Sequence, residues 1–159
     1  MEIVELNPES PAVQVVIQDI DNLMNSLYPP ESNQLLSIDA LMSDDVHFIG
    51  IKDNDEIMAC GAIVHKKDAS ESGKEDEYGE LKRIYVQPEH RGKGLSKPIM
   101  QALLDHAENQ QWPLVRLETG VKQPEAIALY KKLGFVTRGP FGNYPNDPVS
   151  VFMEKSIES

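Results

Sequence analysis

The sequence predicts an α/β fold: one mixed sheet flanked by helices. Three observations carry this. Apolar residues recur at helical spacing over 13–27 and again over 99–107. The runs Val46–Ile51, Glu56–Val64 and Glu80–Val86 follow one another with no helix between them, which suits antiparallel hairpins. The order strand, helix, strand from Glu80 to Thr119 then requires one parallel crossover.

The elements follow in chain order. Glu2–Leu6 is a first strand, and Asn7-Pro-Glu-Ser-Pro opens a helix. Val13, Val16, Ile17, Ile20, Leu23, Met24 and Leu27 form its buried stripe. Tyr28-Pro-Pro ends it, because proline cannot continue the hydrogen-bond ladder. A short helix over Ser37–Ser43 precedes the first two hairpin strands, which Asn54-Asp55 joins as a turn. Lys66 to Glu77 holds no large apolar side chain and is expected to be a solvated, mobile loop. After the strand Glu80–Val86, Pro98 can sit only in the first turn of the next helix, which puts the helix start near Gly94 or Leu95. Ile99, Met100, Leu103, Leu104 and Ala107 give that helix its stripe, and Trp112-Pro113 stops it. Leu114–Thr119 is a strand. Pro124 starts a helix whose face is Ala126, Leu129, Tyr130 and Leu133, with Gly134 as its stop. Phe135–Arg138 and Val149–Glu154 close the sheet.

The 159 residues make a single domain spanning 1–159. Cys60 is the one cysteine, so a disulfide framework is excluded. The four histidines are scattered, which gives no metal-ligand spacing. No apolar run approaches the ~20 residues of a bilayer span, and the acidic N-terminus is unlike a secretory signal. A cytoplasmic location is therefore expected, with no membrane partner. The net charge of −11 argues against nucleic acid as a partner. That charge is uneven: residues 1–79 carry 4 basic and 17 acidic groups, and residues 80–159 carry 11 and 9. An anionic ligand on the second half and a cationic one on the first would fit this division, as would random surface charge.

The sharpest motif is the turn Arg91-Gly-Lys-Gly-Leu-Ser96 between a strand and a helix. Gly92 and Gly94 let the backbone approach a ligand closely, and the helix start offers unpaired N–H groups. Together they suit a pyrophosphate, with Arg91, Lys93 and Lys97 adding charge. A tight turn with solvated cations would read the same way. The spacing is not that of a Walker A loop, and Lys97 stands where a dinucleotide motif needs its third glycine.

Two blocks resemble the GNAT superfamily of acetyl-CoA-dependent N-acetyltransferases. One is Glu80-Leu-Lys-Arg-Ile-Tyr-Val-Gln-Pro-Glu-His-Arg-Gly-Lys-Gly-Leu-Ser96, similar to the family's strand, Arg/Gln-x-x-Gly-x-Gly/Ala loop and helix. The other is Gln123-Pro-Glu-Ala-Ile-Ala-Leu-Tyr-Lys-Lys-Leu-Gly-Phe135, similar to its Asn-x-x-Ala-x-x-Leu-Tyr-x-x-x-Gly-Phe helix. Ser96 and Gln123 depart from those patterns. The resemblance implies a GNAT-like acyl-CoA N-acyltransferase fold, acetyl-CoA as co-substrate without a metal, and direct acetyl transfer to a primary amine. A non-catalytic CoA-binding or regulatory module on the same fold is the alternative.

The resemblance also implies site residues. Arg91, Gly92, Lys93, Gly94, Leu95 and Ser96 would hold the diphosphate, and Ile84, Tyr85, Val86, Gln123 and Tyr130 the pantetheine arm. Glu80 would be the general base, with an ordered water or a plain ion pair as alternatives. Alternation along one strand puts Glu80 and Val86 on a shared face. The Val86 N–H would stabilise the thioester oxygen, and Tyr130 would protonate the departing thiolate. Otherwise Tyr130 is a core aromatic. Tyr28, Glu31, Tyr144 and Asp147 would contact the acceptor, a small cationic amine or a lysine side chain, although turn chemistry alone accounts for these residue types. A homodimer is compatible with this reading.

Overall fold

The computed structural model describes residues 2–29, 36–69 and 75–157. Seven strands form one sheet in the order β1-β2-β3-β4-β5-β7-β6. They are β1 (Glu2–Glu5), β2 (Val46–Asp53), β3 (Glu56–Ala69), β4 (Glu75–Val86), β5 (Leu114–Gly120), β6 (Val136–Arg138) and β7 (Ser150–Ser156). All neighbours are antiparallel except β4 and β5, the parallel pair joined by the crossover through α3 (Ser96–Asn109). The remaining helices are α1 (Pro11–Leu27), α2 (Ile38–Leu41) and α4 (Pro124–Lys132). No described helix is long and apolar enough to cross a membrane.

Strand alternation sends side chains to two cores. Val13, Val16, Ile17 and Ile20 of α1 pack on Phe48, Cys60, Ala62 and Tyr85. Ile99, Met100, Leu103 and Leu104 of α3 pack on the opposite face with Ile49, Ile63, Leu81, Leu117 and Met153, and Tyr130 of α4 joins them. A third cluster, Tyr78, Phe141 and Phe152, anchors the loop between β6 and β7 on the α1 face.

Two expectations change. Lys66 to Glu77 is not simply a loop: β3 and β4 continue to pair as far as Ala69 opposite Glu75. Polar cross-strand contacts replace apolar ones there, with the Tyr78 hydroxyl donating to Asp68 and His65 Nε2 lying 2.7 Å from Glu77. Helix α3 starts at Ser96, after the second glycine, so Pro98 is its third residue.

Candidate active site

The site originates in a bulge. Between β3 and β4 the register runs from Cys60 opposite Tyr85 to Ala62 opposite Lys82, so β4 carries one extra residue. Arg83, at the bulge, adopts φ 58°, a left-handed conformation. Its buried guanidinium holds it there, donating to the Leu36 carbonyl at 2.6 and 3.1 Å and pairing with Asp21 at 2.5 Å. The extra residue reverses the alternation. Leu81, Ile84 and Val86 pack toward α3, whereas Tyr85 packs toward α1. Glu80 lies opposite Val64 and Val86 opposite Ala59, five positions apart on β3, so they occupy opposite faces. The expected shared face is thus corrected: alternation holds only along an unbulged strand.

Beyond the bulge β4 leaves β5. Their parallel pairing ends at Leu81 opposite Leu117. The gap is a cleft through the sheet, with walls from both faces: Ile20, Met24 and Tyr28 on one side, Ile84, Leu117 and Tyr130 on the other. Val86 lies two residues beyond Ile84 on the open edge of β4. Gln87 N donates to the Met58 carbonyl at 2.9 Å, so the adjacent Val86–Ala59 pair is not hydrogen-bonded and the Val86 N–H and C=O face the β5 side. Arg91 Nε donates to that carbonyl at 3.1 Å, and its guanidinium lies over the Tyr85 ring.

The glycine turn follows immediately. Gly92 and Gly94 have φ of +84° and +73°, and nothing lies within 4 Å of where a Cβ would project at either. Helix α3 has no side-chain cap at Leu95 and no acidic residue in its first turn. Its leading N–H groups therefore carry partial positive charge with no side-chain cap. Lys93 Nζ lies 3.0 Å from His90 Nδ1, so both Arg91 and Lys93 side chains contact the protein in this state. The residues fit a pyrophosphate through main-chain amides.

The other expected residues divide into three groups. Tyr28, Gln123, Ile84 and Tyr130 share the cleft. The Tyr130 ring is buried, and burial raises its phenol pKa; the hydroxyl makes no hydrogen bond to a described residue. The Tyr28 hydroxyl accepts from Lys122 N at 3.1 Å and donates to Gln123 Oε1 at 3.5 Å. Glu80 and Tyr144 meet away from that wall. Glu80 is 0% exposed, with Lys66 Nζ at 2.9 Å and Lys82 Nζ at 3.3 Å, and Tyr144 donates to its Oε2. Asp147 Oδ1 accepts from Val149 N at 3.0 Å, as a turn residue does. Glu31 lies outside the described residues.

The sequence reading missed Lys82 and Glu118, which both line the cleft. Burial raises the pKa of Glu118, against a lowering hydrogen bond from Ser150 Oγ at 2.8 Å. Burial lowers that of Lys82, against the raising charge of Glu80. The available signal was β5 itself: Glu118 precedes Gly120 on a strand whose other face is apolar. Cys60 is fully buried and its thiol is pushed up to about 12, so it stays protonated.

The family model for the acetyltransferase (GNAT) family matches residues 17–135. A protein named IAA acetyltransferase from Azospirillum brasilense is 40% identical over 151 residues, covering 95% of this chain and 94% of its own. The uncharacterised N-acetyltransferase YsnE of Bacillus subtilis is 31% identical over 136 residues, covering 84% and 85%. A solved putative acyl-CoA N-acyltransferase from Klebsiella pneumoniae superimposes with a TM-score of 0.73 at 34% identity, covering 98% of this chain and 96% of that one. With the parted strands, the glycine turn and these relatives in agreement, the chain belongs to the GNAT family of acetyltransferases.

Proposed function

We propose that this GNAT enzyme moves an acetyl group from acetyl-CoA directly to a primary amine within a ternary complex. The observation that carries the reading is the parting of β4 from β5. It leaves the Val86 N–H on an open edge leading to a cleft that holds Glu118 and Tyr130. The main-chain amides of Gly92 to Ser96 take the diphosphate, and the open edge of β4 from Ile84 to Val86 takes the pantetheine arm as a substitute strand. Gln123, at the start of α4, borders that arm.

The residues then meet the demands of the chemistry. A primary amine with pKa about 10 is protonated at neutral pH, so its nitrogen must first lose a proton. Glu118 takes it. Among the assigned roles this is the one that changes, because Glu80 is fully enclosed by two lysines and Tyr144. The Val86 N–H donates to the thioester oxygen as charge develops there; losing such a donor typically costs about 2.7–4 kcal/mol. Tyr130, held protonated by burial, gives its proton to the departing thiolate. The nitrogen sheds two protons in all. One balances the proton given to sulfur, and the other leaves to solvent. Glu118 and Tyr130 come from opposite faces of the sheet, so base and acid flank the reacting carbon. Cys60, buried and protonated, offers no nucleophile for an acetyl-enzyme route.

The acceptor is a small cationic amine or a lysine side chain. Glu118 lines the cleft with Tyr28, and the charge of Asp147 adds to its own, which supports a cation. Thiol release from acetyl-CoA, measured against a panel of cationic amines and of neutral and acidic acceptors, tests the reading. Turnover with cationic amines supports it. Turnover only with neutral or acidic acceptors overturns the acceptor class. Coenzyme A binding without turnover of any acceptor assigns the chain to a non-catalytic module.

A further inference from the structure

Glu80 is fully buried and ionic, and it does not line the cleft. Burying a charge is costly unless its partners repay the cost, so such a group calls for a role. Its neighbours suggest one. Glu80 and Lys82 stand two apart on β4, on one face, ahead of the bulge. Lys66 from β3 reaches one oxygen of Glu80, and Lys82 and Tyr144 reach the other. The same Tyr144 hydroxyl accepts from Lys82 Nζ, and that nitrogen lies 4.8 Å from the Tyr144 ring centroid. Lys82 and Glu118 directly follow the last β4–β5 pair, Leu81 opposite Leu117, and both line the cleft. One ammonium therefore contacts an enclosed carboxylate and borders the cleft that holds a second.

We propose that Glu80 is a positioning residue: together with Tyr144 it draws Lys82 away from Glu118, so that the Glu118 carboxylate stays available to the acceptor's proton. An ammonium in contact with Glu118 would occupy the place of the acceptor's own ammonium and weaken the carboxylate as a base. The inference rests on the reading of Glu118 as the base. Several other groups act on Glu118, and the test must hold them fixed. They are Glu80 on β4, Asp147 and Tyr144 of the loop before β7, Ser150 of β7 and Tyr28 at the end of α1, with Tyr130 of α4 lining the same cleft.

The test is carboxyl ¹³C NMR titration of glutamate-labelled full-length protein, with the Glu118 resonance assigned by its loss in Glu118→Gln. Glu80→Gln should lower the Glu118 midpoint by about one pH unit or more, as Lys82 turns to the remaining carboxylate. Lys82→Met should raise it. Tyr144→Phe should move it the same way as Glu80→Gln, by less. The decisive comparison is Glu80→Gln in the Lys82→Met background. Glu80 also acts on Glu118 directly through its own charge, so a small shift persists there, but more than half of the shift should vanish. An equal shift in both backgrounds, or none in either, overturns the proposal. Coenzyme A affinity, unchanged in each variant, confirms that the fold is intact. If Lys82→Met with Glu80→Gln does not fold, Tyr144→Phe alone decides, and a Glu118 midpoint that does not fall in it overturns the proposal. Failure of the underlying reading looks different: the pH–rate limb of thiol release survives Glu118→Gln and disappears in Glu80→Gln.

Discussion

The hydroxyl of Tyr28 occupies the space that a side chain on Gly120 would need. A Cβ built there would lie 1.8 Å from that oxygen and 2.1 Å from Cζ. The ring thereby fastens the end of α1 to the turn between β5 and α4, beside the cleft.

Gly120→Ala should destabilise the protein by about 1–3 kcal/mol, the usual cost of forcing atoms into a packed site. Tyr28→Ala in the same chain should recover part of that loss, because it removes the atoms that clash. Denaturant unfolding of the two single variants and the double variant checks this; additive losses would break the link between these residues.

Tyr130→Phe removes the proton donor and leaves the ring's packing in place. Turnover should fall by about 10²-fold or more, with little change in coenzyme A affinity. Steady-state thiol release and calorimetry separate the two effects, and unchanged turnover would take Tyr130 out of the mechanism.

Glu118 gives a prediction with a definite sign. Burial holds its pKa above the ordinary carboxylate range, so kcat should rise as pH passes through that raised value and Glu118 loses its proton. Stability runs the other way. A group that binds its proton more tightly when folded favours folding at low pH, and that contribution is lost as pH rises through the folded value. Glu118→Gln should therefore cut kcat by about 10²–10⁴-fold and remove the limb. It should also raise Tm at about pH 8, with a smaller difference from the parent at about pH 4. Parallel pH scans of kcat and Tm on both proteins check the two halves.

Much of this was legible in the sequence, and the gaps have physical causes. The stripe from Val13 to Ile20, the stops at Tyr28 and Trp112, and the turn at Gly92 and Gly94 follow from periodicity and backbone chemistry, which act locally. Glu80 is legible as a site carboxylate, but its surroundings are not. One extra residue at Arg83 reverses every face beyond it, and its stabilisers, Asp21 and the Leu36 carbonyl, are distant in sequence. Lys82 carries no local signal, and Glu118 has only its place on a strand whose other face is apolar. Their significance comes from two strands that pair up to Leu81 and Leu117 and then separate. The hairpin beyond Lys66 escaped notice because its strands pair through backbone and polar contacts, without apolar alternation.

The central claim is that main-chain amides of the turn from Arg91 to Ser96 hold coenzyme A. Isothermal titration of the parent and Gly94→Val with coenzyme A tests it most directly. Valine is strongly disfavoured at the φ of +73° seen there, so the turn must change shape. The account predicts saturable binding to the parent and affinity at least about tenfold weaker in the folded variant. Equal affinity in both, or no binding to the parent at about millimolar coenzyme A, would contradict it.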